Sequence, residues 1–372
     1  MKMLQLDSLR GDARSRGRLA GVASLALLSC LGSATITTFY GINASLYTTV
    51  NGGMKMGYDA GNDRFVVQYQ YGSTPPQYAT IQRTTKALSH FAQTGGATYK
   101  ETLLSVLPTS WAGFSAGTTF VAGGGGGSVY AITPGGTVST FATGLPSGLE
   151  YTTVHWDQVG VFNHDLLYAD EGTGQIWRIN SSGVGTPMAV LRDGPQLARP
   201  EPVIVLGSNP RYGNLQNQAV IGQNAATNTF FSIDSALNVY THTLPAGILP
   251  TNGGSLDCLR VFPVLNPNLL IYAMLYNGSA SQMIELSNLS GVPNLQSGDL
   301  LIGVETLFGG RVYHSYYDTT ANQWNWNLLA EFQNEGFLEN VLVAPTSVPV
   351  PEPATMALAV GSLVVAVRRR RR

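Results

Sequence analysis

The stretch "HDLLYADEGTGQIWRINSSGVGTPMAVL", residues 164–191, reads as a strand, a tight glycine turn, a second strand, another turn and an outer strand. Short runs of Leu, Ile, Val and Tyr are separated by Gly, Asn, Asp and Ser, with little sign of helical periodicity. This alternation of short apolar runs and turn-forming residues is typical of antiparallel strands joined by tight turns. The stretch therefore predicts one small sheet of an all-β protein.

The same pattern recurs along the chain. Anchored on the first turn of each unit, the repeats lie near residues 72, 125, 173, 226, 278 and 320, about 50 residues apart. Units of that length, each a hairpin with flanking strands, match the blades of a β-propeller. Six such units use nearly all of residues 35–347, so the sequence predicts one all-β domain, a six-bladed β-propeller. Five or seven blades, or a β-sandwich followed by a smaller β-domain, are the alternatives.

Within the first stretch, "DLLYADEGTGQIWRINSSG" at residues 165–183 resembles the blade sequences of NHL-type and related six-bladed propellers. The other repeats match that pattern less well. The resemblance implies a ring of sheets around a central channel. In such a ring, closure hides strand edges that would otherwise pair with other chains.

The chain ends in "VPVPEPATMALAVGSLVVAVRRRRR", residues 348–372. The uncharged run at 354–367 would form a helix of roughly 21 Å, short of the ~30 Å hydrocarbon core of a bilayer. Arginine clusters remain on the cytoplasmic side of a membrane, so the body is expected outside and the tip inside. The run predicts a short, weak transmembrane segment with a cationic stop, formed by Arg368, Arg369, Arg370, Arg371 and Arg372.

The N-terminus predicts export. Residues 1–18 contain five basic residues, and the apolar stretch "LAGVASLALLSCLGSA" at 19–34 follows them and ends in small residues. This order is that of a secretory signal peptide, with cleavage expected after Ala34. Two alternatives are a lipoprotein signal, in which Cys30 would be lipidated, and a buried helix of a cytosolic domain.

Taken with this signal, the tail resembles the PEP-CTERM sorting signal of Gram-negative bacteria. The matching residues are the motif Pro351, Glu352 and Pro353, then the apolar stretch and the arginine cluster. The resemblance implies a signal peptidase and an exosortase-type processing enzyme as partners. It also implies an inner-membrane precursor and a final place at the cell surface or in the extracellular matrix, among exopolysaccharide. The chain then divides into a signal peptide (1–34), a propeller body (35–343), a Pro-containing tether (344–350) and a sorting signal (351–372).

The charge of the body narrows its partners. Residues 35–350 contain 11 basic and 19 acidic residues, a net charge of −8 that the targeting ends conceal. Nucleic-acid binding needs basic faces, so nucleic-acid partners are not expected. After removal of the signal peptide, Cys258 is the body's single thiol. We expect it to pack in the core, because no histidine lies nearby in sequence.

Two local motifs have the spacing of catalytic sites but lack the required context. "GFSAG" at residues 113–117 has the spacing of a nucleophile elbow around Ser115, but an elbow needs a helix after it, and a strand and glycine turn follow. The glycines at 123–127 lack the Lys-Ser/Thr of a phosphate loop and read as a hairpin turn.

Carboxylates and tryptophans supply the remaining candidates. Propeller strands can bring acidic side chains to one channel mouth, where Ca²⁺ finds oxygen ligands, and Glu150, Asp165 and Asp170 are the candidate ligands. The alternative is that they cap turns. In "NQWNWN" the side chains of Trp324 and Trp326 should share one face of a strand. They would stack on sugar rings if exposed, or fill the space between blades if buried.

Three functions fit this sequence. The leading interpretation is an exported, non-catalytic surface or matrix protein with a propeller as its binding or structural body. The alternatives are a secreted metal-dependent propeller hydrolase or lactonase and an exopolysaccharide-binding module. A propeller site assembled from distant blades leaves no local motif, so the enzyme alternative stays open.

Overall fold

The computed structural model describes residues 35–73, 75–95, 101–123, 126–148, 151–249, 254–262, 269–306 and 309–345. The predicted signal peptide, the sorting motif, the apolar run at 354–367 and the arginine cluster lie outside the described residues. Within the described ranges, no helix is both long and apolar enough to span a membrane.

The regular structure of the described residues is almost all strand, and its helical segments are short 3-10 helices such as Pro210–Leu215, Gly278–Ala280 and Leu289–Gly291. The strands in chain order are β1 (Thr35–Thr38), β2 (Asn43–Val50), β3 (Met56–Asp59), β4 (Arg64–Tyr69), β5 (Gln77–Gln82), β6 (Leu88–Gln93), β7 (Thr102–Val106), β8 (Thr119–Ala122), β9 (Val129–Ile132), β10 (Val138–Ala142), β11 (Thr152–Trp156), β12 (Leu166–Asp170), β13 (Gln175–Ile179), β14 (Gly185–Val190), β15 (Arg192–Asp193), β16 (Gln196–Leu197), β17 (Pro200–Leu206), β18 (Gln218–Gln223), β19 (Thr229–Asp234), β20 (Val239–Thr243), β21 (Gly254–Val261), β22 (Leu269–Tyr276), β23 (Ser281–Ser287), β24 (Leu300–Thr306), β25 (Gly309–Asp318), β26 (Gln323–Gln333) and β27 (Phe337–Pro345). The predicted all-β class is confirmed.

Four-stranded antiparallel sheets are the repeating unit of the fold. Strands β3 to β6 form one sheet, and β17 to β20 form another, each in simple chain order. An eight-stranded sheet consists of two such units, β7 to β10 and β11 to β14, joined where β7 and β11 pair in parallel. A small hairpin of β15 and β16 precedes β17. Repeated antiparallel units of this kind give a propeller-like arrangement.

The last two sheets interleave along the chain. Strand β21 pairs with β24, not with its neighbour in sequence, and the order of that sheet is β1-β26-β25-β24-β21. The intervening β22 and β23 belong to the other sheet, whose order is β2-β23-β22-β27. Strands from both ends of the described chain thus lie in one sheet. Strand β27 reaches Pro345, two residues past the predicted end of the body at 343, because Leu269 and Leu270 pair with Pro345 and Ala344.

One strand from each unit lines the middle of the molecule. These inner strands contact one another in the order β3, β7, β11, β17, β21 and β27, and β27 in turn contacts β3. The composition of a strand depends on its place in the sheet. The inner strand β17, "PEPVIVL", is buried at every residue, whereas the edge strand β20, "VYTHT", is mostly exposed. The apolar core therefore lies between the faces of neighbouring sheets.

Packing also joins the first and last sheets. The ring of Phe65 on β4 lies 5.7 Å from that of Tyr47 on β2 and 4.6 Å from that of Tyr272 on β22. Aromatic pairs at such separations stabilise a core beyond the area that they bury. Cys258 is a free, fully buried thiol whose Sγ donates to the carbonyl oxygen of Val341 at 3.1 Å. As expected, it packs in the core.

Candidate functional site: a buried acidic cluster around Lys55

The inner strands bring one polar side chain each to the middle of the molecule. The strand register shows that Glu101 and Tyr151 occupy equivalent positions. Thr102 of β7 pairs with Thr152 of β11, and each of these two residues comes just before one of the paired threonines. The six residues at these positions are Lys55, Glu101, Tyr151, Glu201, Asp257 and Glu339.

Lys55 is fully buried, and its ammonium group is the centre of the cluster. Its Nζ lies 2.5 Å from Oε1 of Glu101, 2.9 Å from Oδ2 of Asp257 and 3.2 Å from Oε1 of Glu201. It also lies 3.4 Å from Oε2 of Glu339 and donates to the backbone carbonyl oxygen of Glu339 at 2.6 Å. Four acidic side chains, three from β17, β21 and β27 and one from the residue just before β7, therefore surround one cation. We call Lys55 and these four acids the acidic cluster.

Irregular strand pairing places several of these side chains. The register of β21 against β24 shifts between Leu256 and Cys258, which leaves Asp257 as the extra residue of a bulge. Strand β27 has a similar shift against β22 at Glu339, between Leu338 and Asn340. A bulge bends its strand and redirects a side chain. Here it lets a carboxylate point away from the apolar faces on which its neighbours pack.

The ladder of β17 is also interrupted near its start, between Pro200 and Val203, and Glu201 lies within this gap. The backbone carbonyl of Glu201 is held by a hydrogen bond from the Thr153 hydroxyl of β11. A side-chain contact between neighbouring inner strands therefore fixes Glu201.

The carboxylates keep Lys55 charged. Burial alone disfavours an ammonium ion, but Asp257, Glu101, Glu201 and Glu339 outweigh it and raise the pKa of Lys55 well above its ordinary value. One positive charge cannot neutralise four buried carboxylates. Accordingly, burial and the neighbouring acids raise the pKa of Asp257 to about 6. They raise the pKa of Glu201 and that of Glu339 well above the ordinary range.

Two further glutamates surround the cluster. Burial, with the charge of Asp257, raises the pKa of Glu305 to about 8. Burial also raises the pKa of Glu171, but Arg199 forms an ion pair with it and favours its charged form. The Glu305 carboxyl group therefore holds its proton at neutral pH. The middle of the molecule is a buried, proton-retaining site with an internal cation.

The acidic cluster has the donor chemistry of a cation site. Oxygens of Glu101, Asp257 and Glu339 lie within 4.8 Å of one another, a spacing that would suit a hard divalent ion. The Lys55 ammonium lies within 3.4 Å of all three side chains. In this arrangement the chain's own cation takes the place that a metal ion would need.

The predicted calcium ligands lie elsewhere. Asp165 precedes β12 and pairs with Arg178 at 3.2 Å. Asp170 ends β12 and accepts hydrogen bonds from the backbone N–H groups of Gly148 and Thr173, which is the turn-capping role. The strand holds these two aspartates about 17 Å apart, so they do not share one site. Glu150 lies outside the described residues.

The two predicted sugar-stacking residues lie together on β26. The ring centroids of Trp324 and Trp326 are 6.3 Å apart, and both side chains are half-buried. They line an apolar cavity of about 190 Å³ with Phe230, His242 and Leu244 of the neighbouring sheet. The cavity lies between two sheets, and both the sugar-stacking and the packing interpretations stay predictions.

Sequence reasoning missed the acidic cluster. A polar residue within or just before an apolar strand recurs at 55, 101, 151, 201 and 257, about every 50 residues. The same spacing of about 50 residues separates the turns of the repeated units. Comparing equivalent positions between the units, instead of searching within one unit, would have found these residues.

No family model and no curated protein matches the sequence. Among solved structures, a streptogramin B lyase is similar at 9% identity over 82% of this chain and 98% of its own, with a TM-score of 0.46. A pyranose dehydrogenase PQQ domain from Coprinopsis cinerea is similar at 9% identity over 82% and 88%, with a TM-score of 0.43. Virginiamycin B lyase from Staphylococcus aureus is similar at 10% identity over 80% and 99%, with a TM-score of 0.42. Similarity this low carries no argument about activity, and the propeller-like fold rests on the strand pairing.

Proposed function

We propose that this chain is an exported protein that a PEP-CTERM tail sorts to the cell surface or matrix, with a non-catalytic propeller as its binding or structural body. The observation that carries the non-catalytic part is the Lys55 ion cluster. The four converging acids hold the chain's own ammonium group at 2.5–3.4 Å, at the place where a metal ion would otherwise bind them. Buried ion networks of this kind specify one arrangement of their strands.

We also propose that the body closes as six blades. Support comes from the six inner strands, which contact one another in a complete cycle. In the sheet β2-β23-β22-β27, the N-terminal β2 forms the outer edge and the C-terminal β27 the inner edge. Sharing one sheet between the two ends of the chain would fasten the ring.

Export and sorting rest on the two ends of the sequence. The basic and apolar N-terminus and the ordered series of Pro-Glu-Pro, apolar run and arginine cluster support one topology, with the body outside the inner membrane. The signal peptidase and the exosortase-type enzyme are the expected partners, and exopolysaccharide is the expected surrounding material.

Deletion of residues 351–372 tests the sorting proposal. We expect the truncated protein to fold normally and to be missing from the surface fraction, measured by fractionation and immunoblotting. A full-length control, Ser24→Ala, should localise like the wild type, because Ala keeps the signal's apolar run uncharged. If the truncated protein reaches the same surface fraction as the wild type, the tail is not the sorting signal.

One observation favours the metal-dependent hydrolase as a second candidate: the oxygens of Glu101, Asp257 and Glu339 lie within 4.8 Å of one another. Calcium titration separates the two functions. If Lys55 is the resident cation, millimolar Ca²⁺ should leave the melting temperature of the wild type unchanged. A ligand that binds only the folded state at 100 times its Kd would add about 2.7 kcal/mol of stability. A clear rise in melting temperature with Ca²⁺ would favour the enzyme.

A further inference from the structure

A second, polar pocket lies beside the acidic cluster. Its volume is about 450 Å³, and it opens where inner strands β21 and β27 begin. The turn between β18 and β19 and the β15–β16 hairpin form its other walls. It is distinct from the tryptophan-lined cavity, with which it shares no lining residue.

Gln223 is the most informative residue in this pocket. Its side chain is buried, at 2% exposure, and its Nε2 donates to Oδ2 of Asp193 at 3.0 Å and to Oγ1 of Thr227 at 2.6 Å. Its Oε1 is buried without a hydrogen-bond partner among the described residues. An unpaired buried acceptor costs free energy unless a donor reaches it. The amide is therefore fixed by its nitrogen and has an oxygen left for a donor that the described chain does not supply.

The charges around the pocket disfavour an anionic ligand. Arg199 is already paired with Glu171, and Asp193 contributes a further negative charge. Glu305 lines the pocket and accepts a hydrogen bond from the Ser255 hydroxyl at 3.1 Å. The acidic cluster adds an excess of carboxyl groups nearby. A ligand carboxylate or phosphate would meet no unpaired cation among the described lining residues.

The size of the pocket and the residues that line it suit a small organic ligand. Phe337 offers an aromatic ring to the pocket, while Ala225 and Gly254 keep part of the wall small. Amide and hydroxyl groups supply most of the remaining lining. Clefts of roughly 300–1,000 Å³ hold small organic ligands, and a few well-placed polar groups orient them. Amide and hydroxyl groups, which both donate and accept hydrogen bonds, beside an aromatic ring match the hydroxyl groups and apolar face of a sugar.

We propose that this pocket binds one or two residues of a neutral saccharide, with Gln223 accepting a hydrogen bond from a sugar hydroxyl and Phe337 packing against a ring face. The proposal rests on the proposed role of the propeller as a binding body and names its ligand class. It also places sugar recognition away from Trp324 and Trp326.

The test is binding of full-length, detergent-solubilised protein to an array of neutral di- to tetrasaccharides, followed by calorimetry with the best of them. Gln223→Met keeps the side-chain length and removes the amide, and Phe337→Leu removes the ring. Each should weaken binding about tenfold, the loss expected for one good contact. Thr227→Val is a milder variant of the same hydrogen-bond network, should Gln223→Met fail to fold. Trp324→Phe is the matched control outside the pocket and should bind like the wild type.

Absence of binding to every neutral saccharide would overturn the proposal, as would a loss of binding in Trp324→Phe with none in the pocket variants. Tighter binding to oligogalacturonate than to neutral sugars would contradict the charge argument. The assay uses purified protein, so it is independent of localisation. A protein that binds sugar but is found in the cytosol would refute the surface role alone, and a surface protein that binds no sugar would refute this inference alone.

Discussion

At the scale of single residues, Lys55 explains why so many acids can lie together in a protein interior. Removing a charge from water is costly, and an unpaired buried carboxylate would instead take up a proton. The ammonium group compensates part of the negative charge, and protons retained by Glu201 and Glu339 compensate more. The acidic cluster is thus stabilised by the Lys55 ammonium group together with the protonation of some of its carboxyl groups.

Replacing Lys55 with Met keeps the volume of the side chain and removes its charge. The ionised acids of the cluster are then buried without a cation, so we expect the free energy of unfolding at pH 7 to fall by about 3–5 kcal/mol. Chemical denaturation is the measurement. Lys86→Met is the control, because Lys86 is exposed. The interaction described for its side chain is with the face of Tyr47, at 4.6 Å, a contact worth about 1 kcal/mol at most. Equal losses in the two variants would contradict a central role for Lys55.

The pH dependence of stability tests the retained protons. Burial raises the pKa of Glu305 to about 8, whereas a glutamate in the unfolded chain titrates near pH 4.3. Below about pH 4 the group is neutral in both states. Between pH 4 and 8 only the unfolded chain releases the proton, so stability falls as the pH rises. Glu305→Gln should make this fall shallower by up to about 1.4 kcal/mol per pH unit. Denaturation at pH 5, 6.5 and 8 measures the slope, and an unchanged slope would show that Glu305 is ionised.

The acidic cluster was not predictable from any single segment of the sequence. Asp257 and Glu339 reach the middle of the molecule because bulges redirect them, and a bulge depends on pairing with distant strands. The predicted ligands Asp165 and Asp170 are close in sequence. In an extended strand, residues that are five positions apart in sequence are still far apart in space.

At the scale of elements, the turns were the most predictable feature. The anchors near residues 72, 125, 173, 226 and 278 each fall between the second and third strands of a unit counted from the inner strand. The anchor near 320 falls instead between the third and fourth strands, β25 and β26. Glycine and polar residues mark turns locally, so the sequence reveals them. The interleaving of the last two sheets depends on long-range pairing, which spacing does not report.

Close approach between neighbouring sheets depends on glycine at Gly222 of β18. A Cβ atom there would lie 2.4 Å from Cγ of Pro202 and 2.7 Å from the backbone oxygen of Leu256, and neither neighbour can easily move. Gly222→Ala should therefore cost about 1–3 kcal/mol, the usual range for overpacking. Thermal unfolding measures the loss. Gly135→Ala, where the nearest atom is 3.9 Å away, should be nearly neutral, and comparable losses at both sites would contradict the packing account.

At the scale of the whole molecule, the charges divide the chain into an acidic body of net charge −8 and two ends, predicted to be targeting signals, that hold ten of its 21 basic residues. The body folds around an acidic cluster, and the basic ends carry the predicted signals for export and sorting. An export topology was predictable from the sequence because such signals are short and linear, and it stays a prediction because both ends lie outside the described residues. The function of the body was not, because its candidate sites are assembled from several sheets.

The central claim is that a folded propeller body is exported and processed at both ends. Intact-mass measurement of the protein extracted from the cell surface tests it most directly. We predict a mass that begins after Ala34 and ends near Pro351–Pro353, with or without an attached group. A mass equal to all 372 residues, from protein recovered in the cytosol, would contradict it.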